Sequence, residues 1–341
     1  MHKKIKKTLL PLLLLFLASI VIILIGSTIL FSKNTQNGPK NLIIPQGANF
    51  EQMLDSLRHH QLLINENSFV KVAHRMKFKK PKPGKYKIDS KLNNMELVRL
   101  LRAGCRVPVR FTFHNVRTID IFVEKIGDKF LFDPKELASL LNNELYLSKF
   151  GFNKQTILTM LIPNTYELYY DISADDFMKK MHHFYKNFWN EKRRALATKN
   201  GFTPVEIATI ASIVEEESNL KEEHPIIAGL YINRLRLGMR LQADPTVKYA
   251  LGDFTLKRIL YKHLDFDSPY NTYKYAGLPP GPIRIASPAA IDAVLNYQKH
   301  NYLYMCAKED FSGRHNFAVT HAEHERNAAK YHKALNQKGI R

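Results

Sequence analysis

The chain has 341 residues, 45% hydrophobic and 24% charged, enough for about two globular domains. Its net charge of +20 suits a polyanion, an anionic membrane face or an acidic cell-wall polymer. Its two cysteines, Cys105 and Cys306, are too few and too far apart for a disulfide framework, and whether they pair is open.

Thr8 to Phe31 is a run of 24 residues without a charge. As a helix it spans about 36 Å, enough for a ~30 Å hydrocarbon core. Lys3, Lys4, Lys6 and Lys7 precede it, which keeps the short N-terminus (1–7) in the cytoplasm and exports the remainder. A cleaved signal peptide is the alternative, but the run is long and no small-x-small cleavage site comes after it, so an uncleaved anchor is expected. Export, with no nucleic-acid motif in the sequence, argues against a nucleic-acid partner.

Residues 32–40 read as a polar linker. A small α+β module occupies 41–106, with a strand at Asn41–Pro45 and a helix from Asn49 carrying Met53, Leu54 and Leu57. A second helix carries Phe69, Val72, Ala73 and Met76. Lys77–Lys87 is basic, Pro-broken and mostly loop, with a short strand. Asn93 caps a further helix with Glu96 at its third position, and Gly104 can end it.

From Val107 the pattern alternates. Val107, Val109, Phe111 and Phe113 predict a half-buried strand, then helices at Thr118–Ile126 and Asp133–Leu141. Ser173 caps a long helix bearing Phe177, Met181, Phe184 and Phe188. Downstream, helices are expected from Pro225 to Gly238, from Asp244-Pro245 to Gly252 with Asp244 as cap, and from Ser287-Pro288 to Tyr297.

The central stretch is Thr203–Ser218, TPVEIATIASIVEEES. Thr203 is a good N-cap, Pro204 fits the first helical position, and Glu206 completes a capping box. Ile207, Ile210, Ala211 and Val214 share one face. Of the three carboxylates that end the helix, Glu216 continues the polar line of Thr209 and Ser212, Glu215 follows Ala208 and Ala211, and Glu217 projects from the apolar side. Desolvation there raises a carboxyl pKa, which keeps an acid protonated for proton donation. Fraying into solvent, or pairing with a nearby cation, is the other reading of Glu217.

Three polar, rigid loops surround this helix in the sequence. They are Pro163–Glu167; Asn233-Arg234 with Gln242, Asp244 and Thr246; and Tyr270-Asn271-Thr272-Tyr273 with Gly277–Gly281 close behind. Neutral hydrogen-bonding groups, aromatic rings and one buried acid make a carbohydrate-site palette. His321-x-x-His324 has ligand-like spacing, but no Cys or acidic signature accompanies it, and neither metal nor cofactor is expected.

IASIVEEES, INRLRLGMRLQADPTV, YNTY with GLPPGPI, and HNF with His324 together resemble, in order and spacing, the YceG-like endolytic murein transglycosylases. The resemblance covers nearly everything from Asn41 onward. It implies an α+β protein with one N-terminal transmembrane helix (8–31), a LysM-like module (41–106) and a larger mixed α+β catalytic domain (107–341). It implies single-pass residence in the plasma (inner) membrane, with the catalytic part periplasmic. Its implied reaction is non-hydrolytic cleavage between N-acetylmuramic acid and N-acetylglucosamine of nascent peptidoglycan strands, leaving 1,6-anhydro ends and limiting strand length. The catalytic glutamate falls on Glu217. Substrate contacts fall to Asn233, Arg234, Gln242, Asp244, Thr246, Tyr270, Asn271, Thr272, Tyr273, Tyr166 and His315. Peptidoglycan synthases, divisome and elongasome proteins are candidate partners.

The chain departs from the family pattern at Glu216, where Lys is usual, and at Ser218, Ala243 and Asn164. Asn164 makes an Asp-based second carboxylate impossible at that position. A non-catalytic wall-binding scaffold and a membrane-tethered polyanion binder are the competing readings. Steep salt dependence would mark the latter.

Overall fold

The computed structural model describes residues 2–339 except Cys105 and Lys257, and of residues 2–12 the backbone alone. The pairing left open for Cys105 thus lies outside the described residues, as do the side chains of the basic tail. The chain divides into two compact units. The first comprises residues 1–110 with 128–132 and 167–173, and the second the remainder.

The first unit begins with α1 (His2–Phe31), whose Leu13–Phe31 portion has a mean hydropathy of 2.9. Strand β1 (Lys40–Ile44) pairs antiparallel with β2 (Gly84–Ile88), with Leu42 opposite Tyr86. Alternation turns Leu42, Ile44, Tyr86 and Ile88 into one core. Over it pack α2 (Phe50–His59), α3 (Glu66–Arg75) and α4 (Asn94–Ala103), through Met53, Leu57, Phe69, Val72, Leu97 and Leu101. Asn49 with Gln52, and Asn93 with Glu96, form capping boxes at α2 and α4.

The expected linker is part of this unit. Lys33 and Thr35 form bridges to Asn93 and Leu63. Buried Asn34 donates to the Asn65 carbonyl at 2.8 Å and to Asn94 Oδ1 at 2.5 Å, and accepts from the Asn65 amide at 2.7 Å. Asn94 in turn donates to the Ile29 carbonyl of α1 at 2.8 Å. A Cβ at Gly38 would stand 2.5 Å from the Ser90 amide, so only glycine fits there. The polar composition that suggests solvent instead satisfies buried backbone groups.

Strand β3 (Pro108–Phe113) pairs with β4 (Asn164–Tyr169). The stretch expected as a loop at Pro163–Glu167 is therefore largely strand. Its alternation hides behind Pro163 and Asn164: Tyr166 and Leu168 are buried, while Thr165 and Glu167 face outward.

In the second unit, α5 (Ile119–Ile126), α6 (Pro134–Leu141), α7 (Glu144–Ser148) and a short 3-10 turn (Ile157–Met160) precede α8 (Ala174–Phe188). A separate helix, α9 (Glu191–Asn200), starts where the side chain of Asn190 caps the Arg193 amide. Its residues lack an apolar stripe, so the sequence pattern does not set it apart from α8. Then come α10 (Pro204–Glu217), α11 (His224–Arg236), α12 (Asp244–Leu251), α13 (Tyr261–Leu264) and α14 (Pro288–Leu295). A hairpin of β5 (Tyr304–Ala307) and β6 (His315–Ala318) and the last helix, α15 (His321–Gln337), complete the unit.

Helix α10 is its centre, packed against α11, α12 and α14. Every residue from Ile207 to Val214 is buried, so the supposed polar line of Thr209 and Ser212 faces protein, not water. Thr209 donates to the Val205 carbonyl, and Ser212 donates to Thr209 and accepts from the Ile283 amide. The Thr203 hydroxyl accepts from the Glu206 amide at 3.2 Å, while Glu206 accepts from the Thr203 amide at 2.7 Å. Thr203→Ala is expected to lower stability by about 1 kcal/mol, seen as a melting temperature lower by roughly 2–4 °C. An unchanged midpoint would show that packing alone holds this helix.

Candidate active site

The apolar length of α10 holds its last turn rigidly and delivers Glu217 to a cavity of about 280 Å³. Helix α11 supplies Leu230, Tyr231 and Arg234 to the walls. The segment before α12 supplies Leu241 and Gln242, α12 supplies its first residue, Asp244, the loop after α13 supplies Tyr273, and the β5–β6 hairpin supplies Met305, Cys306, Ala307 and His315.

The Tyr231 hydroxyl donates to Glu217 Oε1 at 2.6 Å. Burial pushes the Glu217 carboxyl up to about 7. The Tyr231 hydrogen bond opposes the rise, the Asp244 charge adds to it, and Arg234 and Lys248 oppose it. Desolvation is the largest effect, and the one hydrogen bond the carboxyl accepts among the described residues, from Tyr231, does not offset it.

Asp244 does not cap α12. Ala243 occupies the cap position, and the Asp244 carboxylate accepts from the Tyr273 hydroxyl at 2.6 Å inside the cavity. Thr246 and Thr272 are buried beneath, hydroxyl to hydroxyl at 2.8 Å. Thr272 also accepts from the Ala243 amide, and Thr246 donates to the Ala243 carbonyl. They staple two loops together and so place Asp244 beside Tyr273. Asn271, fully buried, donates to the Leu264 and Phe266 carbonyls and accepts from the Tyr273 amide. These three residues shape the site from behind and do not line it.

Arg234 is buried as a clamp on backbone, donating to the Leu303 carbonyl at 2.6 Å and the Leu241 carbonyl at 2.7 Å. Its guanidinium ties the hairpin to the α11–α12 connection while its charge faces Glu217. Gln242 holds a φ of 50°, uncommon for a residue with a Cβ, and lines the cavity. His315 is oriented by Glu223, whose carboxylate takes the His315 amide and Nδ1, each at 2.8 Å. Burial pushes the Glu223 carboxyl up, but these bonds and one from Ser218 outweigh it and hold it below the usual carboxylate range.

Three expected site residues lie elsewhere. Tyr166 is core: it stacks on Phe113 at 5.8 Å and donates to the Ile162 carbonyl. Tyr270 packs its ring 4.7 Å from Tyr249, outside the cavity lining. Asn233 donates to the His300 and Tyr302 carbonyls and lines a different cleft. The Glu216 side chain is largely withdrawn from water. It is ion-paired with Arg284 at 2.7 Å and Arg117 at 3.0 Å. Glu215 accepts from the Ser287 amide at 3.0 Å. His324 stacks on Tyr304 at 5.5 Å.

Residues 42–330 match the YceG-like family. The chain belongs to the YceG-like family. It is similar, at 30% identity over 87% of this chain and 86% of the relative, to the endolytic murein transglycosylase of Bacillus subtilis strain 168. It is also similar, at 25% identity over 84% of this chain but only 57% of the relative, to the endolytic murein transglycosylase of Streptococcus pneumoniae serotype 2. A crystal structure of a yceG-like protein from Listeria monocytogenes superposes with a TM-score of 0.56 and 26% identity, covering 84% of this chain and 98% of that one.

Within this YceG-like site, sequence reasoning misses Tyr231, Glu223 and the hairpin edge Met305–Ala307. Tyr231 carries one signal, a phenol on the inward face of the helix that comes after Glu217. Glu223 carries none, because its partner His315 is 92 residues away in the chain, and the hairpin strands are too short for a clear pattern.

Proposed function

We propose that this YceG-like protein is a membrane-anchored endolytic murein transglycosylase with Glu217 as its catalytic acid and base. The observation that carries the reading is a carboxyl held near pKa 7 in a walled cavity, hydrogen-bonded by Tyr231 on one oxygen. The names of the bacillar and streptococcal relatives support the substrate class.

In this reading Glu217 protonates the glycosidic oxygen between N-acetylmuramic acid and N-acetylglucosamine, and the C1–O bond breaks. The resulting carboxylate, stabilised by the Tyr231 hydroxyl, takes the proton of the muramic C6 hydroxyl. O6 then closes on C1, giving the 1,6-anhydro ring and restoring protonated Glu217. One carboxyl serves both steps because no water is activated. Gln242, Asp244, Tyr273 and His315 hold the sugar. Limiting the length of nascent strands is the cellular consequence.

One observation favours a second reading. Asp244 is a second carboxylate within electrostatic range of Glu217, as a hydrolytic glycosidase would require. The product decides between them. Peptidoglycan digested by the protein should yield 1,6-anhydromuramyl ends, whereas reducing ends alone would select hydrolysis, and an intact glycan would reject both.

The anchor reading is supported by α1 and by its junction with the first unit. Ile29 and Leu30 pack on the core of that unit, and the Ile29 carbonyl accepts from buried Asn94. Proteolytic removal of α1 would tear out part of that core. In this reading Lys3, Lys4, Lys6 and Lys7, ahead of the apolar run, keep the N-terminus in the cytoplasm, with both units on the outer face of the plasma membrane. The LysM-like reading of residues 41–106 as a glycan-binding module belongs to the same proposal, supported by the compact strand–helix–helix–strand–helix unit around its own core.

Tyr231→Phe should move the alkaline limb of the pH–rate profile upward by about one unit, because it removes a bond that favours ionised Glu217. A limb that stays in place would dissociate Glu217 from the titration.

A further inference from the structure

Helix α11 faces a second recess, of about 840 Å³, formed with the end of α9 and the segment after α14. Lys199, Arg236 and Lys299 line it, and no acidic residue does. All three side chains are exposed, and among the described residues none makes an ion pair. Three uncompensated cations around one concavity raise the local concentration of anions.

The walls are fixed. Asn233 donates to the His300 and Tyr302 carbonyls, His300 bonds the Ile226 carbonyl at 2.9 Å, and Asn200 donates to the Leu295 carbonyl at 2.9 Å. The close approach of this wall requires Gly229, where a Cβ would meet the Gln298 carbonyl at 2.4 Å. The Arg236 guanidinium lies 5.7 Å from the Tyr297 ring centre, which pre-orients its fork. Exposed Asn296 and Asn301 add neutral hydrogen-bonding groups at the rim.

We infer that the recess lined by Lys199, Arg236 and Lys299 is an oxyanion-binding site, taking carboxylate or phosphate groups borne by a cell-wall polymer. Planar, bidentate pairing suits Arg236, and the two lysines act as point charges on either side. The site shares α11 with the Glu217 cavity but none of its lining residues. An anionic branch of a strand can therefore be held apart from the cleavage point. Two sources carry this chemistry: the peptide stems of peptidoglycan, through their carboxylates, and phosphodiester wall polymers.

The test uses the full chain in detergent with Glu217→Gln, so that strands stay uncut and binding is read independently of catalysis. Lys199, Arg236 and Lys299 are changed together to Ala. In a control variant the exposed Lys135, Lys154 and Lys180, which line neither recess, are changed to Ala. Three probes are titrated: glycan strands with stems, uncharged N-acetylglucosamine oligomers, and poly(glycerol phosphate).

The recess variant should bind stem-bearing strands or poly(glycerol phosphate) roughly tenfold more weakly, with the control variant unchanged. The probe that loses affinity identifies the source. Unchanged affinity for both anionic probes overturns the site. So does an equal loss on the uncharged N-acetylglucosamine oligomers, which would make the ligand sugar. A failure of the Glu217 proposal would appear only in product analysis with the unaltered protein, and leaves these titrations readable.

Discussion

Glu217→Gln is expected to lower the rate of 1,6-anhydro end formation by at least about a thousandfold while leaving glycan binding within a factor of two. The amide retains the shape of the carboxyl and still accepts from the Tyr231 hydroxyl, which donates to Oε1 in the parent. What is lost is the transferable proton. On the proposed mechanism the same group acts in both half-reactions, so its loss disables both. The measurement is anhydromuramyl product from a fixed amount of peptidoglycan, alongside binding of uncut strands. Product within tenfold of the parent would remove Glu217 from the chemistry, and lost binding would recast it as a contact residue.

The second large effect is on stability and has the opposite sign. The folded-state pKa of Glu217 is raised, so between about 4.5 and about 7 the folded protein binds a proton that the unfolded chain has released. The stability this group contributes is therefore complete below the unfolded value and is lost as pH rises through the folded value. The shift corresponds to roughly 3 kcal/mol between pH 4 and pH 8. Glu217→Gln has no such proton to lose. Its melting temperature should rise relative to the parent by roughly 5 °C at pH 8, with little difference at pH 4. A difference independent of pH would mean that the carboxyl is solvated in the folded protein. A gain in stability joined to a loss of activity marks a group kept in an unfavourable environment for chemical reasons.

Local signals made half of this site legible. The Thr203–Glu206 capping box, Pro204 and the apolar spacing of Ile207, Ile210 and Val214 all lie between Thr203 and Val214, and they fix both the helix and the direction of Glu217. Features that depend on distant partners were not legible. Asp244 followed by Pro245 is a good helix start by any local rule, yet Tyr273, 29 residues on, claims its carboxylate. The hairpin that closes the cavity is built from short, half-buried strands, Tyr304–Ala307 and His315–Ala318, whose pattern is too weak to read alone. Tyr166 carried the right chemistry for a sugar platform, and only the stacking of Phe113 and Phe184 on it shows that it is core. Glu216 was equally ambiguous, because its partners Arg117 and Arg284 lie 99 and 68 residues away.

The clasp around Asn34 has a mechanical meaning. A tethered domain on a loose lead explores a hemisphere above the bilayer, and its reach is set by the length of the lead. Here the nine residues after Phe31 are consumed by bonds to Asn65, Asp89, Leu92 and Asn94, and the last turn of α1 is itself bonded to Asn94. With α1 as the proposed membrane anchor, its tilt or rotation would be transmitted to the first unit as to one solid part. On the proposed anchoring that unit would stand at a single height above the membrane, and extra residues spliced in after Phe31 would cost folding stability.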